Sequence, residues 1–159
     1  MGLDNSLILR SSRLEALESA LPRTFGWDAG TIWHSDYFGW RLDILYLRKC
    51  WNIRNVVMRE CFYDEEQYNN RIICNGEDDS KIIPYMFDRE KLETFYRILD
   101  EFIADPDGWE DSGSSIWEYG VCKPHLENAH KAVAYMLDHE LYEPNEETGI
   151  IGLEWIDSY

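Results

Sequence analysis

Tyr46, Cys50, Ile53, Val57 and Cys61 recur at spacings of four and three, and Leu47, Trp51 and Met58 widen the same stripe. That period belongs to one side of an α-helix. The spacing predicts a single buried helix over Tyr46–Cys61, and the rest of the fold has to be built around it. Arg48, Asn52, Asn55 and Arg59 fall on the opposite side. Arg41, Arg48, Lys49, Arg54 and Arg59 place five cations between positions 41 and 59, against Asp43 alone. Arg48, Lys49, Trp51 and Arg54 form a structural hub in this reading. The cations pair with acids of the same chain or make a basic contact surface, and the two roles are compatible.

The charge around this hub is lopsided. Residues 1–59 hold eight Lys/Arg and six Asp/Glu, whereas residues 60–159 hold seven and twenty-five, within a formal net charge of −16. Direct binding to a nucleic-acid backbone is disfavoured, because that affinity comes from cations neutralising phosphates. A basic protein partner is the natural complement. The chain has 159 residues and is 45% hydrophobic. It reads as one domain over 1–159, of a size that buries roughly 70% of its unfolded surface.

The hub segment also carries a resemblance. Tyr46-Leu-Arg-Lys-Cys-Trp-Asn-Ile-Arg-Asn55 resembles a Tyr-Trp-Arg-Lys-Cys-Trp-x-Ile/Leu-Arg-Asn motif of a small phage, prophage and gut Firmicutes family. Those proteins typically open with Met-Gly-Leu-Asp-Asn, as Met1–Asn5 do. They often carry Ser-Ile-Trp-Glu-Tyr, matched by Ser115–Tyr119, and many end in Asp-Ser-Tyr, as Asp157–Tyr159 do. The matches run the length of the chain in the same order. Leu47 stands where the family usually has Trp, so a role resting on that indole does not carry over. The resemblance implies a phage or mobile-element context and brings no catalytic residues.

In chain order, Ser6–Leu9 reads as a short strand. Ser12 and Glu15 have capping-box spacing before a short helix that Pro22 ends. Gly26–Gly30 is a loop. Thr31–Trp33 and Tyr37–Trp40 are β-rich and form a hairpin around His34–Asp36. After the hub helix, Arg71–Cys74 is a strand, Asn75–Ser80 a turn and Lys81–Tyr85 a short strand or extended lead-in. A second helix is capped by Asp88, carries Leu92, Phe95, Leu99, Phe102 and Ile103, and ends at Ala104–Gly108. Ser112–Ser115 is a connector to Ile116–Tyr119. A third helix runs from about Pro124 to about Tyr142, with Leu126, Ala129, Val133, Met136 and Leu137 facing inward. Ile150–Ile156 is the last strand. The fold class is α+β: three principal helices packed with a small, mostly antiparallel sheet.

Chemistry-bearing patterns are sparse. Cys50, Cys61, Cys74 and Cys122 form no CxxC pair, so no zinc spacing is present. The four histidines do not converge: on a helix His125 and His130 stand about 140° apart, His130 and His139 about 180°. Cys122 near His125 is a sequence neighbour, whereas a nucleophile and its base are brought together by the fold. No phosphate loop or dinucleotide fingerprint occurs. No cofactor and no metal are expected. The absence of a signal peptide and of an apolar run near about 20 residues points to a reduced, cytoplasmic setting in a bacterial host.

The carboxylates carry more information. Asp64, Glu65 and Glu66, the turn acids Glu77, Asp78 and Asp79, and Asp105, Asp107, Glu110 and Asp111 are candidates for one partner-binding face. Loops hold such groups in place while leaving them solvated. Trp109 beside Glu110, and Trp117 beside Glu118, add rings that supply burial while the acids engage Arg or Lys. These features and the mobile-element context lead to one expectation. The chain is a non-enzymatic, acidic interaction protein that inhibits a host nucleic-acid-binding or defence protein, such as a CRISPR nuclease, by imitating DNA. A structural or accessory phage protein is the alternative, and a small enzyme of unknown chemistry the third choice.

Overall fold

Leu7-Ile-Leu9 is the apolar centre of the strand on which the sheet is built. A computed structural model describes residues 4–27, 31–36, 39–48, 50–63, 85–105 and 123–158. Strand β1 (Asp4–Ser11) lies between β3 (Gly39–Arg48) and β5 (Ile150–Ser158), antiparallel to both. Strand β2 (Ile32–Ser35) pairs with the first part of β3, and β4 (Tyr85–Met86) with β5. The strand order is β2-β3-β1-β5-β4. The residues described also hold four α-helices: α1 (Leu14–Ala20), α2 (Trp51–Cys61), α3 (Arg89–Ala104) and α4 (Lys123–Asp138). The architecture is α+β. The expected antiparallel hairpin is β2–β3, but His34 and Ser35, expected in its turn, are strand residues paired with Trp40 and Gly39. The proposed strand Arg71–Cys74, the turn Asn75–Ser80 and the segment Ile116–Tyr119 lie outside the described residues.

The hub helix is shorter than its periodicity predicts. Tyr46, Leu47 and Arg48 are strand, and the helix begins at Trp51. Leu45 and Leu47 are buried while Tyr46 and Arg48 are exposed, which is the two-residue period of a half-buried strand. Pairing with β1 decides the outcome, because Asn5, Ser6 and Leu7 need register partners at Leu47, Tyr46 and Leu45. Tyr46 and Cys50 match the helical spacing only because a four-residue step is also a multiple of two. Arg48 therefore does not share a helix face with Asn52, Asn55 and Arg59.

Two other expectations are corrected. Ser12 does not cap α1: its hydroxyl and its backbone N–H both donate to Gly149 O, while Ser11 Oγ accepts from Arg13 N at 3.0 Å. The third helix stops at Asp138 rather than near Tyr142. Leu141 N–H reaches back to Met136 O, and Glu140 takes a left-handed conformation with φ 53°. That six-to-one bond closes the helix in a Schellman-type turn. The Asp88 cap is present, with Oδ1 accepting from Lys91 N at 2.8 Å.

Helix stripes and one sheet face share a core. Ile53 and Val57 of α2, Leu92, Phe95, Leu99 and Phe102 of α3, and Leu126, Val133 and Met136 of α4 meet Leu7, Leu9, Leu42, Leu47, Leu153 and Trp155. Phe62, Phe87, Phe95 and Trp155 form a run of tilted or edge-on rings, with successive centroids 4.9, 5.4 and 5.8 Å apart. Such geometry adds about 0.5–1.5 kcal/mol per pair beyond burial. Ile8 alternates to the other sheet face and is nonetheless fully buried.

Candidate interaction surface

Arg54 is the hub cation that the core takes in. Its Nη2 lies 2.7 Å from Asp157 Oδ2 and its Nε 3.2 Å from Oδ1. Asn5 Nδ2 donates to Asp157 Oδ1 at 2.9 Å. The Asp157 side chain has no solvent exposure. Three segments far apart in sequence thus meet in one buried network: the opening of the chain, the hub and the last strand. The same three carry the motifs Met1–Asn5, Tyr46–Asn55 and Asp157–Tyr159. Asn5 and Asp157 share the inward sheet face because their strands are register partners there. Arg48 is exposed at the end of β3, opposite Asp4. Lys49 and the Trp51 side chain lie outside the described residues.

The outward face of the sheet carries a second polar cluster. Arg10 Nη1 lies 3.2 Å from Glu154 Oε2, and Glu154 is 1% exposed. Burial raises the Glu154 pKa, and Arg10 and Arg41 oppose the shift. Arg41 pairs with Asp43 at 3.0 Å and lies 3.8 Å from the centre of the Trp33 ring, whose Nε1 donates to Asp43 Oδ2 at 2.9 Å. Burial lowers the Arg41 pKa, while Asp43 and Glu154 act to raise it.

Of the expected partner-binding acids, Asp105 is described. It is exposed at the end of α3, where its backbone N–H closes the helix on Glu101 O. Asp64, Glu65, Glu66, Glu77, Asp78, Asp79, Asp107, Trp109, Glu110, Asp111, Trp117 and Glu118 lie outside the described residues. On the outer side of α3 several acids are neutralised locally: Arg89 reaches Glu93, and Arg97 reaches Glu60 and Glu101.

A different segment is denser in acids and less compensated: Arg89 reaches Glu140, and Arg13 Nη1 donates to Glu147 O at 2.8 Å. Residues 138–147 contain Asp138, Glu140, Glu143, Glu146 and Glu147, with no Lys or Arg among them. All five are exposed. Asn145 builds the loop: its Oδ1 accepts from the backbone N–H groups of Glu147 and Thr148, and its own N–H donates to Ile150 O. That side-chain turn displays Glu146 and Glu147 outward. Arg89 lies 3.6 Å from Glu140, an exposed pair of small energetic weight. Helix α1 adds exposed Glu15 and Glu18, and its Ala16, Ser19 and Ala20 face Glu140, Glu143 and Asn145 across a cavity of about 450 Å³. This cluster is legible in the sequence as five acids in ten residues, separate from the acids expected after α2 and α3.

Groups suited to bond-making chemistry are held elsewhere. Burial pushes the Cys50 thiol up to about 11 and the Cys61 thiol up to about 12. A thiol so raised carries little nucleophilic thiolate at neutral pH. His130 stacks on Tyr96 and His139 on Tyr135, with centroids 4.2 and 3.8 Å apart. Among the described residues no group of three His, Cys, Asp or Glu gathers as a metal site, and no helix is long and apolar enough to cross a membrane. No family model, no curated protein and no solved structure matches the chain.

Proposed function

We propose that the protein is an acidic interaction module of a phage or prophage, acting in the host cytoplasm without catalysis. It occupies a basic, nucleic-acid-binding surface of a host protein by presenting carboxylates where a polyanion would lie. A defence nuclease of the CRISPR type is a target with such a surface. The observation that carries the reading is the solvated acidic stretch 138–147, free of Lys and Arg, within a chain of net charge −16. Charge complementarity of this kind steers encounter and gives specificity.

The test is binding to purified nucleic-acid-binding host proteins, with DNA as competitor and salt as variable. Neutralising Glu143, Glu146 and Glu147 together to Gln is expected to slow association at least fivefold at low salt, with a smaller change in dissociation. Binding indifferent to DNA, to salt and to the triple substitution defeats the proposal. A structural or accessory role then leads. That second reading is favoured by one observation: Asn5, Arg54 and Asp157 spend their motif positions on a buried network, so folding accounts for these three motif residues.

A further inference from the structure

Helix α1 and the chain at the end of α4 enclose the cavity of about 450 Å³. That volume lies in the range of sites that hold small ligands, roughly 300–1,000 Å³. Its lining comes from residues 16–20 and 135–150, and none of it adjoins in sequence a residue outside the described ones. Ser19, His139, Glu140, Glu143, Asn145 and Thr148 of the lining are exposed. Ala16, Ala20, Leu141 and Ile150 give it apolar walls. Both sides are fixed. The hydroxyls of Ser11 and Ser12 donate to Gly149 O and Arg13 Nη1 donates to Glu147 O, which ties the loop to the start of α1. A site already held in its bound form spends little on ordering when it binds.

The hydrogen-bonding groups of the lining are one-sided. The backbone N–H groups of His139, Leu141, Glu143, Asn145, Thr148 and Ile150 all donate within the chain. The Ser19 hydroxyl donates to Glu15 O at 2.9 Å, and the Thr148 hydroxyl to Asn145 O at 3.4 Å. His139 Nδ1 lies 2.9 Å from Tyr135 O. A carbonyl oxygen only accepts, so in the neutral ring Nδ1 carries the proton and Nε2 is left as an acceptor. What the pocket still offers is that nitrogen, the Ser19 lone pairs and the carboxylates of Glu140 and Glu143. Glu140 already has Arg89 at 3.6 Å, whereas Glu143 has no ion pair among the described residues. The Asn145 amide and the Tyr135 hydroxyl are the donors left over. No Lys or Arg is among the described lining residues.

We infer that this pocket takes an arginine side chain of the basic partner, a role that rests on the polyanion reading and gives it an anchor. A lining rich in acceptors fits a group that only donates. The guanidinium carries five N–H donors, no acceptor and a charge that does not titrate. The Tyr135 and His139 rings lie stacked with their planes 16° apart, and a flat aromatic wall suits a planar cation. A lysine ammonium also donates, but it lacks both the plane and the fork that meets a carboxylate with two bonds. The apolar walls accept the methylene stem of the side chain. Seated arginines of this kind are frequent hot spots. One anchored side chain then governs dissociation, while the remaining acids of 138–147 steer encounter.

Titration of the full chain with N-acetyl-arginine methylamide, followed in amide NMR spectra beside the lysine and norleucine analogues, tests this. Saturable shifts are expected at the amides of Ser19, His139, Asn145 and Thr148. The arginine probe should bind at least fivefold more tightly than the lysine probe, and the norleucine probe should not saturate. Glu143→Gln should weaken arginine binding at least fivefold, whereas Glu146→Gln, outside the lining, should stay within twofold of wild type. Ser19→Phe fills the pocket from an exposed helix position and should weaken binding at least tenfold. If that variant does not fold, the contrast between Glu143→Gln and Glu146→Gln decides. Equal losses from those two would mean that diffuse charge holds the probe, and overturn the inference. Equal binding of the lysine probe, saturation by norleucine, or shifts that map elsewhere overturn it as well. The host-protein assay separates the pocket from the reading it rests on. An arginine probe seated as described, with no host protein bound in competition with DNA, keeps the pocket and defeats the polyanion reading. Host binding that competes with DNA and is untouched by Ser19→Phe keeps that reading and overturns the anchor.

Discussion

Arg54 and Asp157 set the terms at the scale of single residues. Removing one member of a buried pair strands the other charge in a low-dielectric site, which costs about 3–5 kcal/mol. Arg54→Ala should destabilise the fold by that amount in urea denaturation. Arg54→Met with Asp157→Leu should recover most of it, because an apolar replacement of both partners leaves no orphan. A loss below 1 kcal/mol for the single variant would show that water reaches Asp157. Glu154 behaves differently. Its folded pKa is raised by burial, so its protonated form is the one the native state favours. The associated stability is full below the ordinary carboxylate range and is lost as pH rises through the raised value. Glu154→Gln copies the protonated form. The variant should therefore gain on wild type between pH 4 and pH 7, read as the difference in urea midpoints. A constant difference would mean that Arg10 and Arg41 fully offset the desolvation. The pairing of a hub cation with an acid of the second half was legible in the charge split. The choice of Arg54 was not, since it depends on which face of α2 meets β5.

At the scale of elements, α3 and the core side of α4 were the most legible parts of the chain. Their apolar residues repeat at three and four for sixteen residues without competition from a strand partner. Periodicity alone makes the hub helix too long, because Tyr46–Arg48 satisfies two periods at once, and only the long-range pairing with Asn5–Leu7 resolves them. The end of α4 gives a prediction of its own. Glu140 holds a left-handed conformation, φ 53°, that costs an L-residue about 1–2 kcal/mol relative to the right-handed region. Glycine adopts it freely but pays more chain entropy. Glu140→Gly should raise stability by up to about 1 kcal/mol, seen as a higher thermal midpoint. It gives up only the exposed contact with Arg89. A fall in the midpoint would assign that contact a value that exposed pairs rarely have.

For the whole molecule, the charge of −16 means that folding gathers like charges. Self-repulsion opposes the compact state, and salt relieves it over a screening length of about 8–10 Å. The thermal midpoint should rise when sodium chloride goes from 20 to about 300 mM. The Glu143/Glu146/Glu147→Gln variant should show a smaller rise, because part of the repulsion is already gone. A midpoint that falls with salt would mean that internal ion pairs outweigh repulsion. The acidity itself was legible from composition. The five acids of 138–147 can be counted there too, but their display cannot be read, because the Asn145 turn that holds Glu146 and Glu147 outward depends on a bridge to Ile150.

The position of β1 between β3 and β5 has a consequence for synthesis. Asn5 finds its carboxylate partner 152 residues later, and Arg54 finds the same one 103 residues later. A nascent chain emerging at about 5–20 residues per second can form the β1–β3 pair early. It then waits roughly 5–20 s for β5 at that rate, with one edge of β1 open and Arg54 lacking its anion. The central strand of the finished sheet is an outer strand while the chain is being made. A holdase that covers an exposed strand edge would thus act on this protein during translation and have no purchase on β1 afterwards.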